Sequence, residues 1–259
     1  MARQRHGGIL GQLRVISLPR LYIFLKSGGV DVRVRAGLAG LAAAVVALAG
    51  CGGLEARTGA DTGTSSSSSK SGKIDVGEAK KKLGTLEVKG RAPRTGFERD
   101  KFGPAWADVD HNGCDTRNDI LKRDLHDEKF KAGTHDCIVL SGVLDDPYSG
   151  KTIQFKRGQD TSTDVQIDHL VPLSDAWQKG AQQWTATKRK EFANDPLNLL
   201  AVDGPLNGQK SDSDAATWLP PRKAYRCAYI ARQIDVKAKY GVWVTSGEKD
   251  AMQGILSSC

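Results

Sequence analysis

No Cys-x-x-Cys pair occurs in the 259 residues, which argues against a zinc ribbon or finger as the organising element. Membrane-spanning length is missing as well. The apolar run 36–50 (AGLAGLAAAVVALAG) has fifteen residues, against the ~20 that a spanning helix needs. Tyr and Trp are scarce before Trp106, so the first third of the chain cannot build a core. No internal repeat is visible, which removes solenoids and propellers. Basic charge is also scarce over most of the chain. Of the formal net charge of +8, residues 1–50 supply +6, from seven Lys/Arg against Asp31, and 51–259 supply +2. The basic isoelectric point therefore belongs to the leader and says little about nucleic acid.

What is present divides the chain in three. Arg33 and Arg35 before the short apolar run read as a signal peptide over 1–50, with 1–29 an over-long extension if translation starts at Val30. Leu48-Ala49-Gly50-Cys51 resembles the bacterial lipobox, in which the cysteine becomes the acylated first residue of the mature protein. Residues 51–91, with five serines at 65–69, read as a lipidated, flexible Ser/Gly-rich tether with at most a turn of helix from Glu78 to Leu86. The globular domain is expected over 92–259, in the α+β class. The four remaining cysteines, 114, 137, 227 and 259, suit an exported chain. Three pairings are open to them; the local one, Cys114–Cys137 with Cys227–Cys259, is expected.

Chemistry-bearing residues concentrate between Val165 and Asp212. Val165-Gln166-Ile167-Asp168-His169 reads as a strand stopped by Pro172, and Leu197–Val202 as a second strand closed by the turn cluster Asp203-Gly204-Pro205. A helix is expected after Ser211 or Asp212, running to Trp218. Such an order could gather a carboxylate, an imidazole and a carboxamide around one divalent ion. Hydrolysing a phosphodiester calls for those types. Imidazole can deprotonate a water near neutral pH, and a hard cation held by oxygens offsets phosphoryl charge. A lone Asp-His pair reads more simply as a capped strand end. The ordered recurrence of Asn198, Asn207 and Lys210 favours the catalytic reading.

At these residues the stretch resembles the HNH (ββα-metal) nucleases, closest to the HNH domain at the C-terminus of GmrSD-type restriction proteins and in secreted bacterial proteins. The resemblance implies a ββα-metal core elaborated by helices and stapled by disulfides. It implies His169 as general base, Asp168 and Asn207 as holders of one Mg²⁺ or Mn²⁺, and Asn198 as a brace for the histidine loop. Lys210 would stabilise the transition state or fix the loop. Arg117, in a Cys-x-x-Arg run shared with secreted relatives, would reach the substrate phosphate or else form a salt bridge. The expected protein is a monomeric, exported, lipid-anchored endonuclease acting on DNA or RNA at the outer face of the membrane.

One motif stands outside this scheme. Asp108-x-Asp110-x-Asn112-Gly113, with Asp119 at the twelfth position, fits the first half of an EF-hand loop for Ca²⁺. An Asx-rich turn pinned by Cys114 and capping the next helix competes with it. The rival function is accordingly a non-catalytic, calcium-binding envelope lipoprotein with a degenerate HNH fold. Trp177 and Trp184 read as core anchors, and the 188–190 and 222–223 basic clusters as solvated helix faces or nucleic-acid contacts.

Overall fold

A computed structural model of the chain describes residues 74–259. The expected leader, the acylated Cys51 and the first part of the tether lie outside them. Twelve regular elements follow in order: α1 (Val76–Thr85), α2 (Thr116–Asp124), β1 (His126–Phe130), β2 (Val139–Asp145), β3 (Thr152–Lys156), β4 (Val165–His169), α3 (Leu173–Gln178), α4 (Ala186–Ala193), β5 (Leu199–Asp203), α5 (Gly204–Lys210), α6 (Arg226–Tyr240) and α7 (Ser246–Ser257). The class is α+β, as expected, with two small antiparallel sheets. One is the meander β1-β2-β3; the other pairs β4 with β5, Asp168 opposite Leu200 and His169 opposite Leu199.

The β4–β5 pair sits between two cores, which is why β5 is apolar on both faces, whereas β4 puts Val165 and Ile167 on one face and Gln166 and Asp168 on the other. Val165, Ile167, Leu199 and Ala201 pack with α2 and the meander, against Ile120, Leu121, Val139 and Phe155. Leu200 and Val202 turn the other way, into a core with Tyr148, Tyr229, Ile230 and Ile234. A third core gathers Phe102, Trp177, Phe192 and Tyr240, so Trp177 is the anchor expected of it and Trp184 packs against the same group.

Two elements depart from expectation. Residues 76–85 form a three-turn helix rather than part of a tether. Asp75 accepts from the Glu78 amide as N-cap, and Ala79 and Leu83 are buried against α6 and α7. Three polar lysines (80–82) hide this amphipathic stripe in the sequence. The helix expected at 212–218 is absent; the chain turns helical earlier, at α5. Asp203-Gly204-Pro205 is a helix start rather than a turn: Asp203 accepts from the Leu206 amide, and Pro205 occupies the first turn, where no amide hydrogen is needed. Gly204 is obligatory there, since a Cβ would lie 2.0 Å from the Thr163 carbonyl oxygen.

Both local disulfides form: Cys114–Cys137 at a Cα separation of 5.0 Å and Cys227–Cys259 at 5.9 Å. The first pins the segment entering α2 to the start of β2; the second ties the chain end to α6. None of the four cysteines lies within β4, β5 or α5. Loops of 23 and 32 residues make each bridge worth ~2–4 kcal/mol by chain-entropy reasoning. Reduction is therefore expected to lower the melting temperature by ~5–15 °C per bridge in calorimetry. A shift under 2 °C after complete reduction would contradict that role.

Candidate functional site

At the C-terminal end of β4 the surface opens into a polar hollow of about 150 Å³, lined by Arg99, Asp168, His169, Asn207 and Asp212 among others. Three elements meet there. β4 supplies the Asp-His pair, α5 supplies Asn207 from its middle turn, and the short 3-10 turn at Arg99–Phe102 supplies Arg99. Strand, strand and helix thus follow one another as β4, β5 and α5, with α3 and α4 inserted between the strands.

His169 is partly buried, its ring stacked on Trp106 at 6.2 Å between centroids and 16° between planes. Its Nε2 lies 2.8 Å from the Ala193 carbonyl oxygen. A carbonyl can only accept, so Nε2 carries the proton and Nδ1 keeps a free lone pair. Burial pulls the imidazole down to about 4, and the nearby Arg99 and Lys210 charges act the same way, against the Ala193 bond. The ring is neutral at pH 7.

Asp168 is 5% exposed, with both oxygens engaged. Lys210 Nζ donates to Oδ1 at 2.9 Å and Tyr148 Oη donates to Oδ2 at 2.5 Å. Burial raises the carboxyl above its usual range, and Lys210 and Tyr148 work against that rise. Lys210 is fully buried and also donates to the His169 carbonyl at 2.8 Å. Its ammonium is thus a pin between Asp168 and the strand end, and it does not line the hollow.

Asn198 is fully buried and grips the backbone beyond the histidine. Its Oδ1 accepts from the Val171 amide at 2.9 Å, its Nδ2 donates to the Val171 carbonyl at 3.2 Å, and its own carbonyl accepts from the Leu170 amide. Two guanidiniums hold the segment that carries it. Arg123 and Arg232 both donate to the Pro196 and Leu199 carbonyls. Asn207 Nδ2 donates to Gln166 Oε1 at 2.9 Å, which leaves its side-chain carbonyl oxygen free to accept a hydrogen bond or ligate a cation.

Other expected residues lie elsewhere. Arg117 reaches the carbonyl of Val165, at the opposite end of β4 from His169, with Nη2 3.5 Å away, and does not line the hollow. Of the basic cluster at 188–190, Arg189 is spent on the carbonyls of Lys101, Ala181 and Trp184. The 108–119 loop closes on itself as an Asx-rich turn. Asp108 accepts from the Gly113 amide, and Asn112 donates its Nδ2 to both Asp110 and Asp119, where a calcium ion would need oxygens. Asp115 caps α2. Among the described residues no group of three His, Cys, Asp or Glu is placed to hold a metal.

Three contributors were missed. Tyr148 sits in what reads as a solvated hairpin loop (DDPYSG) yet is fully buried; an aromatic inside a turn was its signal. Arg99 and Asp212 carry no local signature. Asp212 pairs with Arg94 at 3.2 Å, whereas Arg99 has no carboxylate within salt-bridge distance among the described residues.

Fold and hollow together define a disulfide-stapled α+β domain with one polar centre of a histidine, a carboxylate and a carboxamide at a strand–strand–helix junction. The chain belongs to the family of the GmrSD restriction endonucleases, C-terminal domain, whose model matches residues 115–255. It is also 38% identical over 179 residues to an uncharacterized secreted protein of the fungus Arthroderma benhamiae, covering 68% of this chain and 82% of the relative. No solved structure matches it significantly.

Proposed function

We propose that the chain is an exported, metal-dependent endonuclease hydrolysing phosphodiester bonds in DNA or RNA, with an HNH-type ββα-metal centre built on β4, β5 and α5. The observation that carries the reading is the histidine. Its Nε2–H is fixed on Ala193, its Nδ1 is unprotonated, and it shares a hollow with Asp168 and Asn207. Family membership supports the reaction class.

The donor set fits a hard divalent ion. A carboxylate has about four lone-pair sites and Asp168 spends two of them, while Asn207 offers a free amide oxygen. Mg²⁺ commonly takes one or two carboxylates and keeps several waters, for which 150 Å³ leaves room at ~30 Å³ each. When bound, such an ion would offset charge on the phosphoryl and leaving oxygens. The chain's own residues do the rest. His169 Nδ1 accepts the proton of the attacking water. Asn198 and the two arginines hold the histidine loop in place. Lys210 and Tyr148 orient Asp168, acting as positioning residues. Arg99, rather than Arg117, faces the phosphate.

Supercoiled plasmid incubated with the full chain and Mg²⁺ or Mn²⁺ tests the reading. Nicking that EDTA abolishes is expected; no nicking with either ion would sink it. Export rests on the apolar leader run and on the secreted description of the fungal relative. A lipid anchor at Cys51 is the finer part of that proposal. Fatty-acid labelling is expected in the wild-type chain and not in Cys51→Ser.

A further inference from the structure

Against the polar hollow, sharing Arg99, His169 and Leu173 as common wall, lies a second and mainly apolar cavity of about 340 Å³. Beyond that shared wall, the proposed hydrolysis uses none of it. We propose that this cavity receives the nucleobase of the nucleotide beside the scissile phosphate, so that the enzyme acts where that nucleotide is unpaired. The inference rests on the nuclease reading and names its substrate class.

Four observations carry it. The size is right for a single base in an apolar slot, at the lower end of ligand cavities, which run ~300–1,000 Å³. Its lining is what a base prefers: Phe102, Pro104 and Leu173 are apolar, and Trp106 offers an indole held at its rim by the stack on His169. Trp106 adopts φ +60°, a conformation that a bulky side chain rarely takes and that usually persists only where the surrounding structure enforces it.

The fourth observation is a buried polar atom. Asn194 lines the cavity at 1% exposure; its Nδ2 donates to the Lys190 carbonyl, but its Oδ1 has no partner. Buried acceptors are nearly always satisfied, and leaving one unmade is costly. A hydrogen-bond donor from the occupant would satisfy it. The exocyclic amines of adenine, cytosine and guanine are such donors, and so is the ring N–H of an unpaired thymine or uracil. Arg99, on the shared wall, stands where the phosphate of the same nucleotide passes from one hollow to the other. A base stacked and paired in a duplex cannot enter such a slot; it must be flipped out or belong to a single strand.

The test uses metal-free full chain, so that binding is read without catalysis. Quenching of tryptophan fluorescence by deoxyadenosine 5′-monophosphate is compared with that by deoxyribose 5-phosphate, in wild type, Trp106→Phe and Asn194→Leu. The expected result is binding about tenfold weaker for the abasic phosphate and for Asn194→Leu, with the quenching amplitude reduced in Trp106→Phe. Equal affinity for the two ligands, or an Asn194→Leu variant that melts normally and binds normally, would overturn the proposal. In parallel, an oligonucleotide with one unpaired nucleotide is expected to be cut at that point at least tenfold faster than the same sequence fully paired. Normal plasmid cleavage without base preference rejects the cavity assignment alone. Base-dependent binding without any cleavage rejects the nuclease reading and retains the cavity as a nucleotide site.

Discussion

His169→Ala is expected to lower the single-turnover rate of plasmid nicking by ~10²–10⁴-fold, the range for removing a general base, with DNA binding nearly unchanged. The expectation follows from the arrangement of one ring. Its Nε2 proton is committed to Ala193, so the variant removes the free Nδ1 acceptor and, at the same time, a donor to a backbone carbonyl. Loss of that bond alone costs about 1 kcal/mol, too little to unfold a domain stabilised by ~5–15 kcal/mol. His169→Asn separates the two effects, because its carboxamide can still donate toward Ala193 but cannot act as a base. Both variants should be inactive and both should melt close to wild type. A rate within threefold of wild type in either variant would refute the assignment. Asn198→Ala is expected to be milder in chemistry and worse in stability, since its deletion orphans the Val171 amide and carbonyl in the core.

Most of this centre was legible in the sequence because it is local. Asp168, His169, Asn198 and Asn207 fall within forty residues, and two strands and a helix bring them together. The position of the helix was misread. Asp203-Gly204-Pro205 has the composition of a turn and the chemistry of a helix start, and only the contact of Gly204 with Thr163 distinguishes the two. Long-range partners left no trace. Tyr148 meets Asp168 across twenty residues and Arg99 reaches the hollow from seventy residues upstream, neither through a periodic pattern. Of the two roles the sequence leaves open for Lys210, fixing the loop is the one its burial against Asp168 and the His169 carbonyl supports, and that burial depends on Asp168 being there to receive it.

The largest stability effect is expected at a network that no motif announces. Lys179→Met should destabilise the fold by ~3–5 kcal/mol, enough to remove a third or more of a typical domain's stability. Lys179 is fully buried at the C-terminal end of α3, its Nζ 2.7 Å from Asp175, 2.9 Å from Asp214 and 2.6 Å from Glu248. Lys237 of α6 and Arg91 complete the group, with Lys237 2.9 Å from Glu248 and Arg91 bridging Asp175 and Asp214. Three cations balance three carboxylates, so deleting one cation strands a negative charge inside the protein. Methionine conserves the stem, which confines the loss to charge. The exposed pair Lys82–Asp235, by contrast, should tolerate Lys82→Ala without measurable change. Acid provides an independent check. Burial would raise Asp214, but Lys179, Arg91 and Lys237 outweigh it and hold its carboxyl at about 2, against 3.8 unfolded. A depressed carboxyl contributes stability that is full above pH ~4 and is lost as pH falls towards 2. Without Lys179 the depression shrinks, so the gap in unfolding free energy between wild type and Lys179→Met should be widest at neutral pH and narrow between pH 4 and 2. Denaturant melts across that range measure it. A gap independent of pH would mean that Lys179 contributes packing alone, and a variant as stable as wild type at pH 7 would mean that Lys179 does not hold the buried network together.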